Sequence, residues 1–464
     1  MDDQAGLAEA SNYGEIVPAL VLDEPLVRTL RSSPRRAAFF CGAVAALDAR
    51  LRERGSRLIV RRGESTAILR DIARESGAEG VVWGASSDGA SLRQERQMID
   101  ELQRSGLRCV VVNDAPAVPA TETTAAKSAV GDGYRAFAPY FEQWRQCEPA
   151  VYEAPLLLRF STIELRTERT PVARDFGAVE NDSRATPQEA RDQLNRFLSE
   201  SAVQYSIGAN VPSEEGTSRL SAHLSFGTIS ARSVVRATNE RCRDVFLLTE
   251  ERLSLKRFLR ALALRDFFLQ LRWYHPETDC APLQERMRNF SFAVDHPALE
   301  SWMQGRTGFP LVDAGIRQLH AMGWMHPRVR SIAASFLCFD LGVDWKIGRD
   351  EWDRHLTEDD EALATGNWQW IAGVGADLAA YPRIYNPERH ARRFDPASQY
   401  ARRWIDELRA DLNSGRRRNS DPQLPLFTPR PYAAPVVVHK DAARAFLRRY
   451  TAYLKQEVAD PASR

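Results

Sequence analysis

The chain has 464 residues, 44% of them hydrophobic, enough for two or three domains and a sizeable core. Sixty-three Lys plus Arg stand against 62 Asp plus Glu, a formal charge of +1, so a polyanion such as DNA has to be held by a local basic patch and not by the whole molecule's field. The six cysteines lie far apart with no C-x-x-C spacing, which argues against a zinc ribbon or a disulfide framework, and no apolar run approaches the roughly 20 residues of a membrane span. No signal-peptide pattern opens the chain; a cytoplasmic monomer that touches no membrane is expected.

From 16 to 114, four short β-branched runs, "IVPALVLD" (16–23), "RLIVRRG" (57–63), "GVVWGA" (80–85) and "RCVVVND" (108–114), alternate with amphipathic segments. Strand-helix-strand alternation predicts a doubly wound parallel sheet, the α/β class. The G-x-G-x-x-G phosphate fingerprint is absent, which speaks against a dinucleotide domain of the usual kind. The first strand begins only at Ile16, behind a helical-looking "DDQAGLAEA", so one strand is expected to be missing ahead of Met1. A central gap would leave unpaired backbone on two strands, at about 1–3 kcal/mol for each buried unsatisfied group. A misassigned start is therefore the more economical expectation.

Residues 115–185 are irregular and read as a long connection over the first domain's surface. Beyond "TPQEARDQLNRFL" the chain reads mostly as helices, among them "LSLKRFLRALALRDFFLQLRWY" (253–274), "PLVDAGIRQLHAM" and "RVRSIAASFLCFDLG". Nine of the ten tryptophans fall after residue 143, which puts the aromatic weight in this half. The division expected is 1–125, an α/β domain lacking its first strand; 126–185, a linker; and 186–464, an all-α domain. "RRRNSDPQLPLFTPRPYAAP" (416–435) reads as a solvated, Pro-rich loop.

Two stretches carry chemistry. "EGTSRLSAHLSFGTIS" (215–230) sets Thr217, Ser218, Arg219 and Ser221 ahead of an amphipathic run, and such hydroxyls with an arginine suit a phosphate or pyrophosphate; a helix cap alone is the common alternative. From His355 to Trp404, the acids Glu358, Asp359 and Asp360 precede Gly-Asn-Trp-Gln-Trp, then Gly373 and Gly375, then an arginine-rich tail. Acids beside paired tryptophans, with glycines that allow close approach, suit a large flat ligand; the alternative is a solvated acidic cap and a basic surface helix. No His-x-x-x-His or His-Glu-x-x-His pair occurs, so no metal site is expected.

"TGFPLVDAGIRQLHAMGWMHPRVR", "EGTSRLS" and "GNWQWIAGVGADLAAYPRIYNP" followed by "FDP…YARRW", in that order and spacing, resemble the flavin domain of the DNA photolyase and cryptochrome family. The N-terminal half resembles that family's antenna domain, including "GDGYRAFAPYFEQW" at the linker motif. The resemblance implies an FAD in the helical domain. It gives Tyr205, Thr217, Ser218, Arg219, Leu220 and Ser221 to the diphosphate and ribityl region and Arg265 to the phosphates; Arg330 and Glu358 would lie over the flavin, with Asp360 at its edge. It also implies light-driven electron transfer to a pyrimidine dimer flipped out of DNA, with arginines 389–403 and 416–418 forming part of a basic rim. Neither a folate nor a deazaflavin antenna is assigned, and the cysteines do not suit the iron-sulfur branch of the family.

The substrate pocket departs from the pattern. Dimer-repairing members carry a glutamate and, three residues on, a stacking tryptophan, where this chain has Ala261 and Leu264. The asparagine expected after the corner residue His326 is Pro327, which also removes the second histidine of the (6-4) type, and Ala364 stands where Asn or Asp is usual near flavin N5. Trp368 and Trp345 match the proximal and middle electron-transfer tryptophans, but the surface position is Phe292, so Trp302, Trp352 or another donor would have to substitute; for Trp302, Trp324 and Trp370 ordinary core packing is expected. Two readings follow, a photolyase with an altered pocket and a cryptochrome-like light or redox sensor that signals to a protein partner.

Overall fold

A computed structural model of the chain describes residues 3–85, 89–124, 133–152, 158–377, 382–409 and 431–459. Two compact units result, and they do not follow chain order. The first comprises Met1–Val203, Ser218–Asp279 and Leu356–Leu363; the second comprises Gln204–Thr217, Cys280–His355 and Ala364–Arg464.

In the first unit the four runs become strands β1 (Ala19–Leu22), β2 (Ile59–Arg62), β3 (Gly80–Gly84) and β4 (Arg108–Val112). β1 pairs with β2 in parallel, Ala19 opposite Ile59, and β3 with β4, Gly80 opposite Arg108. Among the described residues no strand joins the two pairs, so the expected sheet is present as two parallel ribbons. Helix α1 (Pro34–Arg52) starts with Pro34 at the first helical position and Ser33 as N-cap, both favoured there because the first turn's N–H groups lack intrahelical acceptors. It packs Ala37, Phe40, Cys41 and Val44 against Leu22, Leu58 and Val60 of the first ribbon. The long connection does not merely cross the surface: Glu168 N donates to Val60 O at 2.8 Å and Val60 N donates to Thr167 Oγ1 at 2.8 Å, which covers the edge of β2. Helices α2 (Ser65–Ser76) and α3 (Gly89–Arg104) complete the α/β part.

The same unit carries α4 (Ala231–Cys242) and the 26-residue α5 (Thr249–Tyr274). α5 buries Leu255, Phe258, Leu262, Phe267, Phe268 and Leu271 together with the polar Arg265, Asp266 and Gln270. Its Asp266, 1% exposed, accepts hydrogen bonds from Ala117 N (2.9 Å), Val118 N (3.0 Å) and Trp144 Nε1 (2.9 Å). This carboxylate fixes the linker tryptophan to the long helix; burial raises its pKa, and the charge of Arg265, 3.6 Å away, opposes the rise.

In the second unit, α6 (Pro310–Met322) and α7 (Pro327–Ser335) form the Trp-Met-His-Pro corner. They cross closely because Gly315 has no side chain: a Cβ there would lie 2.4 Å from Val329 Cγ1. Then come α8 (Trp345–Asp353), α9 (Glu361–Ala372, in this unit from Ala364 on), α10 (Pro387–Phe394), α11 (Gln399–Trp404) and α12 (His439–Ala459). Among the described residues no helix is long and apolar enough to cross a membrane.

Candidate functional site

Arg219 adopts φ 51°, a left-handed conformation rare for residues other than glycine and concentrated at turns that do chemistry. The backbone before it is fixed by Gln193, whose Nε2 donates to Ser218 O at 2.6 Å. Ser221 Oγ then donates to Glu358 Oε2 at 3.4 Å, so the hydroxyl turn and the acidic segment, 137 residues apart in sequence, come together within the first unit.

The acidic segment is held from behind. The fully buried Arg36 donates from Nη2 to Glu358 O at 3.1 Å, Ser33 Oγ donates to Leu356 O at 3.0 Å, and Ser225 Oγ donates to Asp359 O at 2.8 Å. Arg265 reaches the segment from α5, its Nη2 3.7 Å from Asp360 Oδ2, while its Nη1 donates to Ala115 O at 2.7 Å. Loss of water around Asp360 raises its pKa; Arg265 opposes this and Glu358 adds to it. One guanidinium therefore stands between two carboxylates, Asp266 and Asp360, that both resist ionisation. Leu220 differs from its half-buried neighbours Ser218, Arg219 and Ser221: the residue is 1% exposed.

In the second unit, Tyr205 and Thr217 are half-buried, and burial raises the Tyr205 pKa. The corner is hydrogen-bonded through His326. His326 is the N-cap of α7, its Nδ1 accepting from Arg328 N at 3.2 Å, its own N–H donating to Gln318 Oε1 at 3.0 Å. At 1% exposure His326 is buried. Pro327, exposed at the first helical position, has a local cause, since a fixed φ and a missing N–H suit a helix start. Arg330 curls back, its Nε donating to Met325 O at 2.9 Å, and Arg328 Nε donates to Asn210 Oδ1 at 3.1 Å.

The aromatic arrangement extends what the sequence offered. Trp368, on α9, has Trp352 of α8 at 4.5 Å between ring centroids and Trp302 at 6.4 Å, and Trp302 stacks on Trp352 at 6.0 Å and 15°. Trp345 is seven residues before Trp352 on α8, two helical turns and about 10 Å along the same face. That i, i+7 spacing was the available signal for Trp352. Arg349 lies 5.3 Å from the Trp345 ring. Phe292 packs edge-on to Phe290 at 4.9 Å.

Ala261 is exposed and Leu264 half-buried on α5 in the first unit; Ala364, half-buried, is on α9 in the second. Of the arginine-rich tail, Arg389, Arg392, Arg393 and Arg403 are exposed on α10 and α11, while 416–418 lie outside the described residues.

Residues 1–156 match the family model described as DNA photolyase, and residues 258–452 match the one described as FAD binding domain of DNA photolyase. The deoxyribodipyrimidine photo-lyase of Halobacterium salinarum is 32% identical over 451 residues, covering 91% of this chain and 92% of its own. That of Streptomyces griseus is 36% identical over 402 residues, covering 85% and 84%. A bacterial class III photolyase from Agrobacterium tumefaciens superposes with a TM-score of 0.82 at 26% identity, covering 98% of this chain and 95% of that one. A Synechocystis cryptochrome, 23% identical, shares the fold with a TM-score of 0.81 over 97% and 96%. Two matching family models and relatives of nearly equal length place this chain in the DNA photolyase family, with FAD as its cofactor.

Proposed function

We propose that the chain drives electron transfer with blue light and that its partner is DNA carrying pyrimidine-dimer-type lesions. The observation that carries the electron-transfer reading is the packed group of Trp368, Trp352 and Trp302. When bound, FAD supplies light absorption and the reducing electron. The residues present fit such a group: a strained arginine turn, two serine hydroxyls and Arg265 suit a diphosphate, and Glu358 and Asp360 suit polar hydrogen-bonding atoms. In this reading Ser218, Arg219, Ser221 and Arg265 of the first unit hold the phosphates, and Tyr205, Thr217 and Leu220 are assigned to cofactor binding by the family resemblance. Arg330 supplies fixed positive charge where negative charge develops on reduction. With FAD bound, Trp368 would donate one electron to the flavin and would be refilled by one electron from Trp352 or Trp345. The exposed arginines of α10 and α11 make phosphate contacts that position DNA without reading its sequence.

A second reading, a photoreceptor or redox sensor that binds FAD without splitting dimers, is favoured by Ala261 and Leu264, whose side chains offer no carboxylate and no stacking ring. The test is to illuminate the reduced protein with a dimer-containing oligonucleotide and count restored thymines. Repair above a flavin-only control supports the first reading; its absence, with photoreduction intact, leaves the sensor.

A further inference from the structure

Among the described residues of the second unit, three side chains meet at the ends of α6 and α8 that the flavin chemistry does not use. His320 stands in the last turn of α6, Glu351 in the last turn of α8, and His355 two residues beyond α8. One ligand atom from each lies within 4.8 Å of the others. The two imidazoles pack with ring centroids 4.2 Å apart, tilted by 42°, and His355 Nε2 is 3.2 Å from Glu351 Oε1. A search for paired histidines on one helix does not find this set, because the local pattern is Glu351-x-x-x-His355 and the third member comes from α6.

We propose that His320, Glu351 and His355 form a site for a divalent transition-metal ion of the zinc type. Two imidazole nitrogens and one carboxylate oxygen select zinc, cobalt or nickel over magnesium and calcium, which prefer all-oxygen shells. Tetrahedral ligands at about 2.0–2.1 Å from zinc stand roughly 3.3 Å apart, so the set has to contract by about 1.5 Å at most. The exposed His320 ring, at a helix end, closes that difference by rotation about its side-chain bonds. Arg354 Nη1 donates to Glu351 Oε2 at 2.7 Å and thereby orients the carboxylate with Oε1 toward His355, the role an outer-shell partner plays in metal sites. Water fills the fourth position. A bound ion joins the end of α6 to the end of α8.

The experiment uses the full-length, flavin-loaded protein dialysed against chelator. Zinc chloride is titrated by calorimetry, cobalt chloride is followed by its visible absorption, and magnesium chloride serves as control. One zinc per chain with micromolar affinity, a tetrahedral or five-coordinate cobalt spectrum and no magnesium binding are expected. The double substitution His320→Ala with His355→Ala should weaken zinc at least 100-fold, and Glu351→Gln about 10-fold, with flavin absorbance and circular dichroism unchanged. Absence of zinc binding at 1 mM overturns the proposal, and so does binding that the double variant leaves intact, which would locate the ion elsewhere. If the double variant loses its flavin, His355→Gln alone decides: unchanged zinc affinity overturns the site, and a loss of 10-fold or more supports it.

Discussion

Gly348 tests how tightly the electron-transfer tryptophans are held. A Cβ at this position, in the middle of α8, would lie 2.3 Å from Trp368 Cη2, 2.4 Å from Leu337 Cδ2 and 2.8 Å from Trp368 Cζ3. Carbon atoms prefer about 3.5–4.0 Å, so a methyl group is roughly 1.2 Å too close on two sides. Leu337 is fully buried and the Trp368 ring is backed by Trp352 and Trp302, so neither yields freely. Overpacking of this kind costs about 1–3 kcal/mol, against which Ala gains up to about 1 kcal/mol over Gly in a helix. Gly348→Ala should therefore destabilise by about 1–2 kcal/mol, a fall of about 1–2 °C in melting temperature for a chain of 464 residues. Thermal melts followed by flavin fluorescence measure this, and blue-light photoreduction with an external reductant should slow in the same variant. Adding Trp368→Phe, which removes the clashing ring atoms but leaves Leu337 in place, should give a favourable coupling energy with Gly348→Ala in a double-mutant cycle. A variant as stable as the parent, photoreduced at the parent's rate, would refute the tight packing and the role given to Trp368.

Arg265→Ala should lower FAD occupancy after purification and leave Asp266 and Asp360 without their shared counter-charge, read as flavin absorbance per chain; full occupancy would remove Arg265 from the site. Trp352→Phe and Trp345→Phe, compared side by side, identify the donor that refills Trp368: the greater loss of photoreduction at unchanged FAD content is expected for Trp352, whose ring is 4.5 Å away. His439, at the start of α12, is hydrogen-bonded to Asp340 at 2.5 Å, and that bond raises the histidine pKa. Asp340 also shifts upward, because its burial outweighs the attraction of His439. The histidine's stabilising contribution is thus full below its unfolded pKa of about 6.5 and is lost as pH rises through the higher folded value. Hydrogen exchange of α12 measured from pH 6 to 9 should show protection falling with pH, and a flat profile would remove the pair as the anchor.

The α/β strands were legible because each is a short β-branched run between amphipathic segments, and all four occur where the pattern put them. The pairing of the acidic segment with the hydroxyl turn was legible only through resemblance, since no local pattern connects Ser221 to Glu358. The burial of His326 and of Leu220 was not legible, because both depend on which face of a turn the fold encloses. The Trp302–Trp352 stack needed tertiary structure for the same reason, even though Trp352 shares the Trp345 face of α8.

The carbonyls of Leu356 and Glu358 hang from Ser33 and Arg36, residues at the opposite end of the polypeptide. Cutting the gene between the α/β half and the helical half would thus sever support for the very residues a flavin fragment is meant to display. A truncation beginning near 186 should be a poor apoprotein, and substitutions at Arg36 should be felt as loss of chromophore despite lying more than 300 positions upstream.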